Sequence, residues 1–173
     1  AKNIPHGQLQ VVFTTCEEIG LVGAANIDQT MLTSQYGFVL DGGPPLGSIV
    51  TAAPASECLE ITVHGKAAHA GAEPEKGINA IVAAAKAIAS FPVGRIDAET
   101  TNNVGVITGG QARNVVPDTV TIIAEARSRN QTKLEEQLST IKTAFEVEAA
   151  KMGATVSIRT TNSYPAYHLT NDF

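Results

Sequence analysis

The stretch ECLEITVHGKAAHAGAEPEKGINAIVAAAKAIASF, residues 57–91, decides how most of this chain folds. Its first part, residues 57–64, alternates apolar and polar side chains, which predicts a strand with one wet face. Its last part, residues 77–91, carries apolar side chains at helical spacing and ends before Pro92, which predicts a helix. The stripe that we expect this helix to bury consists of Ile78, Ile81, Val82, Ala85 and Ile88.

The same two patterns continue towards the C-terminus. The pattern predicts strands over residues 102–108 and 118–127, a second helix over residues 131–151 capped by Gly153, and a last strand over residues 154–160. With the first strand and helix, the order becomes βαββαβ. This order predicts an α+β fold of the ferredoxin-like kind, in which an antiparallel sheet carries two helices on one face.

The sequence before residue 49 has a different pattern. Residues 9–16 and 36–40 are short apolar runs typical of buried strands, and a helix is predicted to begin soon after Glu18. One such βαβ-like unit cannot bury both faces of its sheet, so we interpret it as part of a larger α/β domain. The apolar side chains that we therefore expect to be exposed are Val11, Val12, Phe13, Phe38, Val39 and Leu40.

These patterns divide the chain into three predicted regions. Residues 1–48 belong to the α/β domain, and residues 49–163 form the ferredoxin-like domain. Residues 164–173 begin a return to the first domain. The middle region is long enough to fold alone, so we expect it to carry its own core.

The composition limits the classes of function. Hydrophobic residues make up 43% of the chain and charged residues 17%, which is typical of a globular protein. A net charge of -5, an aromatic content of 5% and the lack of Trp disfavour binding to nucleic acid or to an anionic membrane. No apolar run reaches the roughly 18 residues of a membrane span. Cys16 and Cys58 make no disulfide framework, so we expect reduced thiols in a cytoplasmic protein.

Three carboxylates follow the two predicted strands of the first region. Glu17 and Glu18 end one strand, and Asp41 ends the other. Open α/β sheets place their ligands at the carboxyl ends of the strands. Adjacent carboxylates can divide the work there, one binding a metal while the other accepts a proton from the metal-bound water. Strand ends are also wet and often acidic, so a purely solvated role for these residues stays open.

A second group of polar residues lies in the middle region. His69 stands in a loop of small residues between the first strand and helix, Asn114 follows the pair Gly109-Gly110, and Arg127 ends a strand. A guanidinium and an amide together can recognise a carboxylate. The alternatives are a solvated loop histidine, a turn asparagine satisfied by its own backbone and a surface arginine.

Four stretches together resemble a known family. They are TTCEEIGLVGA (14–24), VLDGG (39–43), VHGKAAHAGAEPEKGINAI (63–81) and GGQARNVVPDTVTIIAEARS (109–128). In order and spacing they are similar to the two-zinc aminopeptidase/carboxypeptidase family, and most similar to its peptidase T-like tripeptidases. The likeness covers nearly the whole chain. It implies that residues 1–48 belong to a catalytic domain and residues 49–163 form a lid and dimerisation domain.

The resemblance also implies roles for single residues. Glu17 resembles the general base, while Glu18 and Asp41 resemble ligands of two different zinc ions. His69 matches a lid histidine that, in dimeric members, reaches the active site of the partner subunit and stabilises the oxyanion. Asn114 matches a lid residue that holds the carboxylate end of the substrate, and so does Arg127.

The chain also departs from the family pattern. The HxD motif, a bridging aspartate and a late histidine find no match, and neither His6 nor His168 is assigned as a ligand. The resemblance therefore implies an excised segment that holds zinc incompletely or not at all and is inactive alone. Its parent is expected to be a homodimer that removes N-terminal residues from short peptides.

Two other interpretations stay open. One is a relative of the same family, namely a dipeptidase, a carboxypeptidase or an N-acyl amino acid deacylase. The other belongs to a different class: a stand-alone ferredoxin-like module for dimerisation or ligand binding, in which an exposed sheet edge pairs two copies. An upstream HxD and a downstream histidine in longer sequence from the same gene would favour the enzyme.

Overall fold

A computed structural model of the chain describes residues 4–43 and 45–170, and the chain divides into two units, Ala1–Val50 and Thr51–Phe173. The division into a catalytic-domain segment, a lid and a return segment stays a prediction. Residues 1–3, 44 and 171–173 of those predicted regions lie outside the described part of the chain.

The first unit has little regular structure in its described residues. It contains a one-turn helix, α1 (Val22–Ala25), and a short 3-10 helix, Gln29–Met31. The strands predicted over residues 9–16 and 36–40 do not form, because a strand needs a neighbour that shares a ladder of backbone hydrogen bonds, and neither segment has one among the described residues. The predicted exposure of their apolar side chains is confirmed, reaching 91% for Phe13 and 95% for Leu40.

The second unit is built on an antiparallel sheet. The described residues of this unit form the strands β1 (Ala52–Ala53), β2 (Ala55–His64), β3 (Gly94–Arg95), β4 (Thr100–Gly109), β5 (Thr119–Ser128), β6 (Thr155–Tyr164) and β7 (Tyr167–His168). Five of them form one sheet in the order β3-β4-β5-β2-β6. The helices α2 (Ala80–Ala89) and α3 (Gln131–Lys151) follow β2 and β5. The order β2-α2-β4-β5-α3-β6 is βαββαβ, so the predicted fold class is confirmed.

The core lies between the two helices and one face of the sheet. Alternate residues of β2 and β5 point into it, as period-2 patterning requires, and they meet the apolar stripe of α3. The largest side chains with almost no exposure are Phe145, Leu59, Ile61, Ile122, Leu134 and Ile141. Burying one such side chain contributes about 1.5–3 kcal/mol, so this cluster supplies most of the driving force for the unit.

The buried stripe of α2 differs from the prediction. The helix buries Ala80, Ala83, Ala84 and Ala87, while Ile81 and Val82 are 38% and 40% exposed. Both stripes satisfy helical spacing, and small side chains let the α2 backbone approach the sheet and α3 closely. The prediction was therefore wrong for Ile81, Val82 and Ala85, whereas Ile78 and Ile88 are partly buried and pack against the core as predicted. The exposed side chains leave apolar surface on the outside of α2.

Side-chain caps fix where the two long helices begin. The Asn79 side chain accepts a hydrogen bond from the Val82 amide (3.1 Å), and the Asn130 side chain accepts one from the Lys133 amide (3.2 Å). Such a cap contributes about 1 kcal/mol. Gly153, with φ of 74°, takes the left-handed conformation just past α3, as predicted.

The first and last strands of the second unit lie side by side. β1 pairs antiparallel with β7, with Ala52 opposite His168 and Ala53 opposite Tyr167. The Leu169 amide adds a hydrogen bond to the Thr51 carbonyl at 2.6 Å. A unit whose entry and exit are adjacent is suited to insertion into another domain.

Candidate active site

His69 lies on a loop, residues 66–78, whose ends are joined. The backbones of Lys66 and Ile78 exchange two hydrogen bonds of 2.9 Å, which closes the loop between β2 and α2. Gly65 makes this closure possible, because a Cβ there would lie 2.1 Å from the Ile78 carbonyl oxygen. The loop is therefore a compact Ω-loop rather than a free connection.

The loop is also bonded to the segment that leads into β5. The Val116 amide donates to the Ala68 carbonyl and the Ala70 amide donates to the Asn114 carbonyl, each at 2.9 Å. His69 faces Val115 in this short antiparallel ladder. The outer bonds of the junction are Gly65 to Asp118 (2.7 Å) and Ala80 to Pro117 (2.9 Å). Two sequence-distant candidates, His69 and Asn114, are thus brought together by the backbone.

The hydrogen bonds of the His69 ring define its tautomer. Its Nδ1 accepts from the amides of Gly71 and Ala72, both at 3.1 Å. In a neutral imidazole one nitrogen accepts and the other carries the hydrogen. The hydrogen therefore sits on Nε2, and because His69 is exposed this N–H is available as a donor.

Asn114 is presented on a β-turn. The Val115 amide donates to the Ala112 carbonyl at 3.2 Å, so Arg113 and Asn114 are the two central residues of the turn. Both are exposed. The backbone carbonyl of Asn114 accepts the ladder hydrogen bond from the Ala70 amide, which leaves the Asn114 side chain for other contacts. Sequence reasoning selected Asn114 and assigned no role to Arg113, its neighbour on the turn.

Arg127 lies elsewhere. It is near the end of β5, eight residues after Thr119, which corresponds to roughly 27 Å along a strand. Its Nη2 and Nε donate to the two oxygens of Glu125 at 2.9 and 3.1 Å. The Glu125 carboxylate, opposed by partial burial, raises the pKa of the Arg127 guanidinium. Arg127 therefore does not join His69 and Asn114 within one chain.

The Glu17–Glu18 pair stands between two strained positions. Cys16 and Leu21 both have φ of 58°, in the left-handed region that non-glycine residues rarely adopt. The Glu17 carbonyl accepts from the amides of Gly20 (3.2 Å) and Leu21 (3.0 Å), which makes a tight turn before α1. Each left-handed residue costs about 1–3 kcal/mol, and such strain is often found at functional sites. Both glutamates are exposed.

The acidic candidates do not assemble a metal site on their own. Asp41, like the glutamates, is exposed. Within residues 4–43 and 45–170, no three His, Cys, Asp or Glu side chains come together as a metal would require. His6 donates from Nδ1 to the neighbouring Gly7 carbonyl at 2.7 Å, and His168 lies in β7. The residues present therefore do not fit a complete metal centre.

None of the helices formed by the described residues has the length and apolarity that crossing a membrane demands.

Comparisons with known proteins agree with this architecture. The family model described as a peptidase dimerisation domain (M20_dimer) matches residues 57–153. An uncharacterised protein of Bacillus subtilis, YqjE, is 46% identical over 166 residues, which cover 96% of this chain and 45% of that protein.

Two solved structures are also similar. The aminopeptidase PepT from Bacillus cereus has a TM-score of 0.82 and 45% identity, over 92% of this chain and 43% of that one. A tripeptidase from Staphylococcus aureus has a TM-score of 0.89 and 36% identity, over 98% of this chain and 45% of that one. The chain thus spans less than half the length of these relatives. Because the family model matches more than half of its residues, the chain belongs to the M20 peptidase family and carries that family's dimerisation domain.

Proposed function

We propose that this chain is the lid-bearing part of a metal-dependent exopeptidase that removes N-terminal residues from short peptides, with tripeptides as the preferred class. The observation that carries the proposal is the fixed His69 ring, whose Nδ1 is held by two backbone amides so that Nε2–H is free to donate. The similar aminopeptidase and tripeptidase structures support the substrate class.

His69 would act as a hydrogen-bond donor to the carbonyl oxygen of the bond that is cleaved. Charge develops on that oxygen during attack, and a donor already in position stabilises it without reorganisation. The closed loop and its ladder to Asn114 supply that rigidity. Removing one such donor lowers kcat by about 10²–10³ in comparable enzymes, which sets the size of effect to look for.

The acidic residues also have roles in the proposed function, although they do not form a complete metal centre by themselves. We assign Glu17 as the general base, and Glu18 and Asp41 as carboxylate ligands for two zinc ions per active site. Since they do not form a complete centre, further ligands would have to come from sequence beyond this chain. We accordingly expect the chain alone to be inactive.

The positions of His69 and Arg127 favour a homodimer. His69 faces Val115, four residues before β5 begins at Thr119, and Arg127 lies roughly 27 Å along the strand from Thr119, whereas a fully extended tripeptide spans only about 10 Å. One peptide therefore cannot touch both residues of the same chain. A dimer in which each active site takes His69 and Asn114 from one protomer and Arg127 from the other satisfies both assignments.

The β4 edge is suited to bind a second copy. β3 covers only Thr101 and Asn102, and the rest of β4 has no outer neighbour in the described residues. Val106 and Ile107 are about half exposed there, at 51% and 50%. Ile81 of α2, which is 38% exposed, lies close to Gly110 just past the end of β4 and adds apolar area there. An uncovered apolar strand edge readily pairs with another strand.

We further propose that the protein works in the cytoplasm. Both cysteines are free thiols, and Cys16 is exposed. Burial raises the pKa of the Cys58 thiol, helped by the charges of Glu60 and Glu125. An exposed free thiol is stable in a reducing compartment and would be oxidised outside it.

The test uses the full-length protein that contains this segment. Bound zinc and the hydrolysis of a tripeptide, an N-acetyl amino acid and a tripeptide blocked at its amino group would be measured side by side. The proposal expects bound metal and cleavage of the free tripeptide only. Preference for the N-acetyl amino acid would replace it with a deacylase, and absence of all hydrolysis would favour a binding module.

A further inference from the structure

We propose that Gly77 and Val116 are positioning residues for His69, because their direct packing fixes the part of the loop that carries the imidazole ring. This inference rests on the proposed peptidase function. It goes beyond that function by naming two residues that act on the reaction only through His69 and make no contact with the substrate.

Val116 is an apolar residue whose burial is local. It is 9% exposed, yet it lies outside the hydrophobic cluster that the described residues form between the helices and the sheet. Its amide donates to the Ala68 carbonyl at 2.9 Å, so Val116 is bonded to the residue that directly precedes His69. The burial of Val116 therefore has to come from its own neighbourhood, which includes the His69 loop.

Gly77, near the end of that loop, lies directly against Val116. A Cβ at Gly77 would be 2.9 Å from the Val116 Cγ1 atom, 3.0 Å from the Val116 Cβ and 3.0 Å from the Ala68 Cβ. Carbon atoms in ordinary contact are about 3.5–4.0 Å apart, so no side chain fits at this position. The φ of Gly77 is -94°, which any residue adopts, so the close packing and not the backbone conformation requires glycine. We call this three-residue packing of Gly77, Val116 and Ala68 the Gly77 contact.

The Gly77 contact holds the backbone on one side of His69. On the other side, the Ala70 amide is bonded to the Asn114 carbonyl at 2.9 Å. Displacing Ala68 would therefore turn or shift the His69 ring between these two attachments. A donor stabilises a developing charge only when it is aligned, and a misplacement of about 1 Å can cost about 100-fold in rate. A smaller displacement at the Gly77 contact should accordingly lower kcat to a smaller extent.

The test is a double-mutant cycle on tripeptide hydrolysis by the full-length protein. Gly77→Ala should lower kcat about tenfold and leave KM within about twofold, since the new methyl group overlaps Ala68 and Val116. Adding Val116→Ala removes the atom nearest to that methyl group and should raise kcat again by about threefold or more. In a His69→Ala background, Gly77→Ala should have no further effect on kcat, because both changes remove the same interaction.

Val156→Ala is the matched control. Val156 is a partly buried valine of β6 that packs against the main core, so its truncation should lower the unfolding temperature and leave kcat unchanged. If Gly77→Ala does not fold, Val116→Ala alone tests the inference, because it keeps the backbone bond to Ala68 and removes only the packing. It should then lower kcat by about threefold, again only while His69 is present.

A second measurement does not depend on catalysis. In this chain, the ring nitrogens of His69 can be observed by nitrogen NMR and assigned from the signals that His69→Ala removes. Gly77→Ala should shift the Nδ1 resonance and speed the exchange of the Gly71 and Ala72 amides that donate to it, whereas Val156→Ala should do neither.

The opposite results overturn the inference in distinguishable ways. An equal loss of kcat from Gly77→Ala with and without His69 would mean that the Gly77 contact maintains the fold and does not position the ring. Unchanged kcat together with an unchanged Nδ1 resonance would mean that the contact has no influence on His69. If the wild type cleaves no tripeptide, the proposed function fails, and the NMR measurement alone then decides whether the Gly77 contact positions the ring.

Discussion

The two units of this chain contain similar apolar stretches, which are buried in the second unit and exposed in the first. In the second unit, Phe145 and the strand residues around it are buried between helices and sheet. In the first unit, Phe13 is 91% exposed and the runs around Phe13 and Phe38 form no ladder with any described residue. Apolar patterning therefore predicted a strand correctly where a described neighbour pairs with it, and incorrectly where none does.

The largest expected effect is a contrast between two phenylalanines. Phe145→Ala should destabilise the second unit by about 3–5 kcal/mol, because it leaves a cavity in the core. Phe13→Ala should change the stability of this chain by less than about 0.5 kcal/mol, because the side chain is already in water. Urea unfolding of both variants checks this. A comparable loss in Phe13→Ala would show that the first unit has a core of its own.

Next in size is the base of the His69 loop. Gly65→Ala should cost about 2–3 kcal/mol, because the new Cβ would overlap the Ile78 carbonyl oxygen and push the loop open. Gly42→Ala in the first unit is the matched control, since nothing lies within 4 Å of a Cβ there. Urea unfolding gives the stability change, and amide exchange at Lys66 and Ile78 reports loop opening. Unchanged exchange in Gly65→Ala would contradict the closed loop.

These two contrasts also explain which parts of the fold could be predicted from the sequence. The bounds of α3, residues 131–151, were predicted as observed, because its apolar stripe meets strands of the same unit. The predicted stripe of α2 was only partly right: Ile78 and Ile88 pack against the core, but spacing alone could not show that close packing selects the alanines between them. The two-residue strand β3 was missed because two residues carry no periodicity.

The candidate site was predictable in part. Motif resemblance named His69, Asn114 and Arg127 together as candidates, and the ladder between the loops joins only the first two. The roles of all three stay predictions. Arg127 lies far from both because it is near the end of β5, whereas the ladder to His69 lies before the start of that strand. That is a property of topology and not of the local motif.

A smaller effect concerns helix caps. Asn130→Ala should destabilise the second unit by about 1 kcal/mol, because the Lys133 amide loses its acceptor at the start of α3. Asp28→Ala removes a similar bond to the Thr30 amide in the first unit. It should leave the stability within about 0.5 kcal/mol, since no packed helix depends on it. Thermal unfolding of both variants tests the contrast, and equal shifts would contradict it.

The smallest expected effect is a dependence of the stability on pH in the acidic range. The Glu99 amide and then Lys133 lower the pKa of Asp97 from 3.8 to about 2. A carboxyl whose pKa is lower when folded stabilises the protein above pH 4, and this contribution is lost as the pH falls from about 4 to about 2. Asp97→Asn should flatten the loss of stability over that range in urea unfolding, whereas Glu146→Gln on the exposed side of α3 should not. Identical profiles for Asp97→Asn and wild type would refute this role.

A mixing experiment with the full-length protein would show whether the lid of one copy completes the active site of another. His69→Ala and Glu17→Gln, each expected to be inactive alone, would be unfolded, mixed in equal amounts and refolded, and tripeptide hydrolysis would be measured. Half of the dimers would then be mixed and each would hold one intact site, so about a quarter of wild-type activity should return. If the mixture stays as inactive as its components while refolded wild type recovers, His69 does not act across a dimer and the proposed arrangement is wrong.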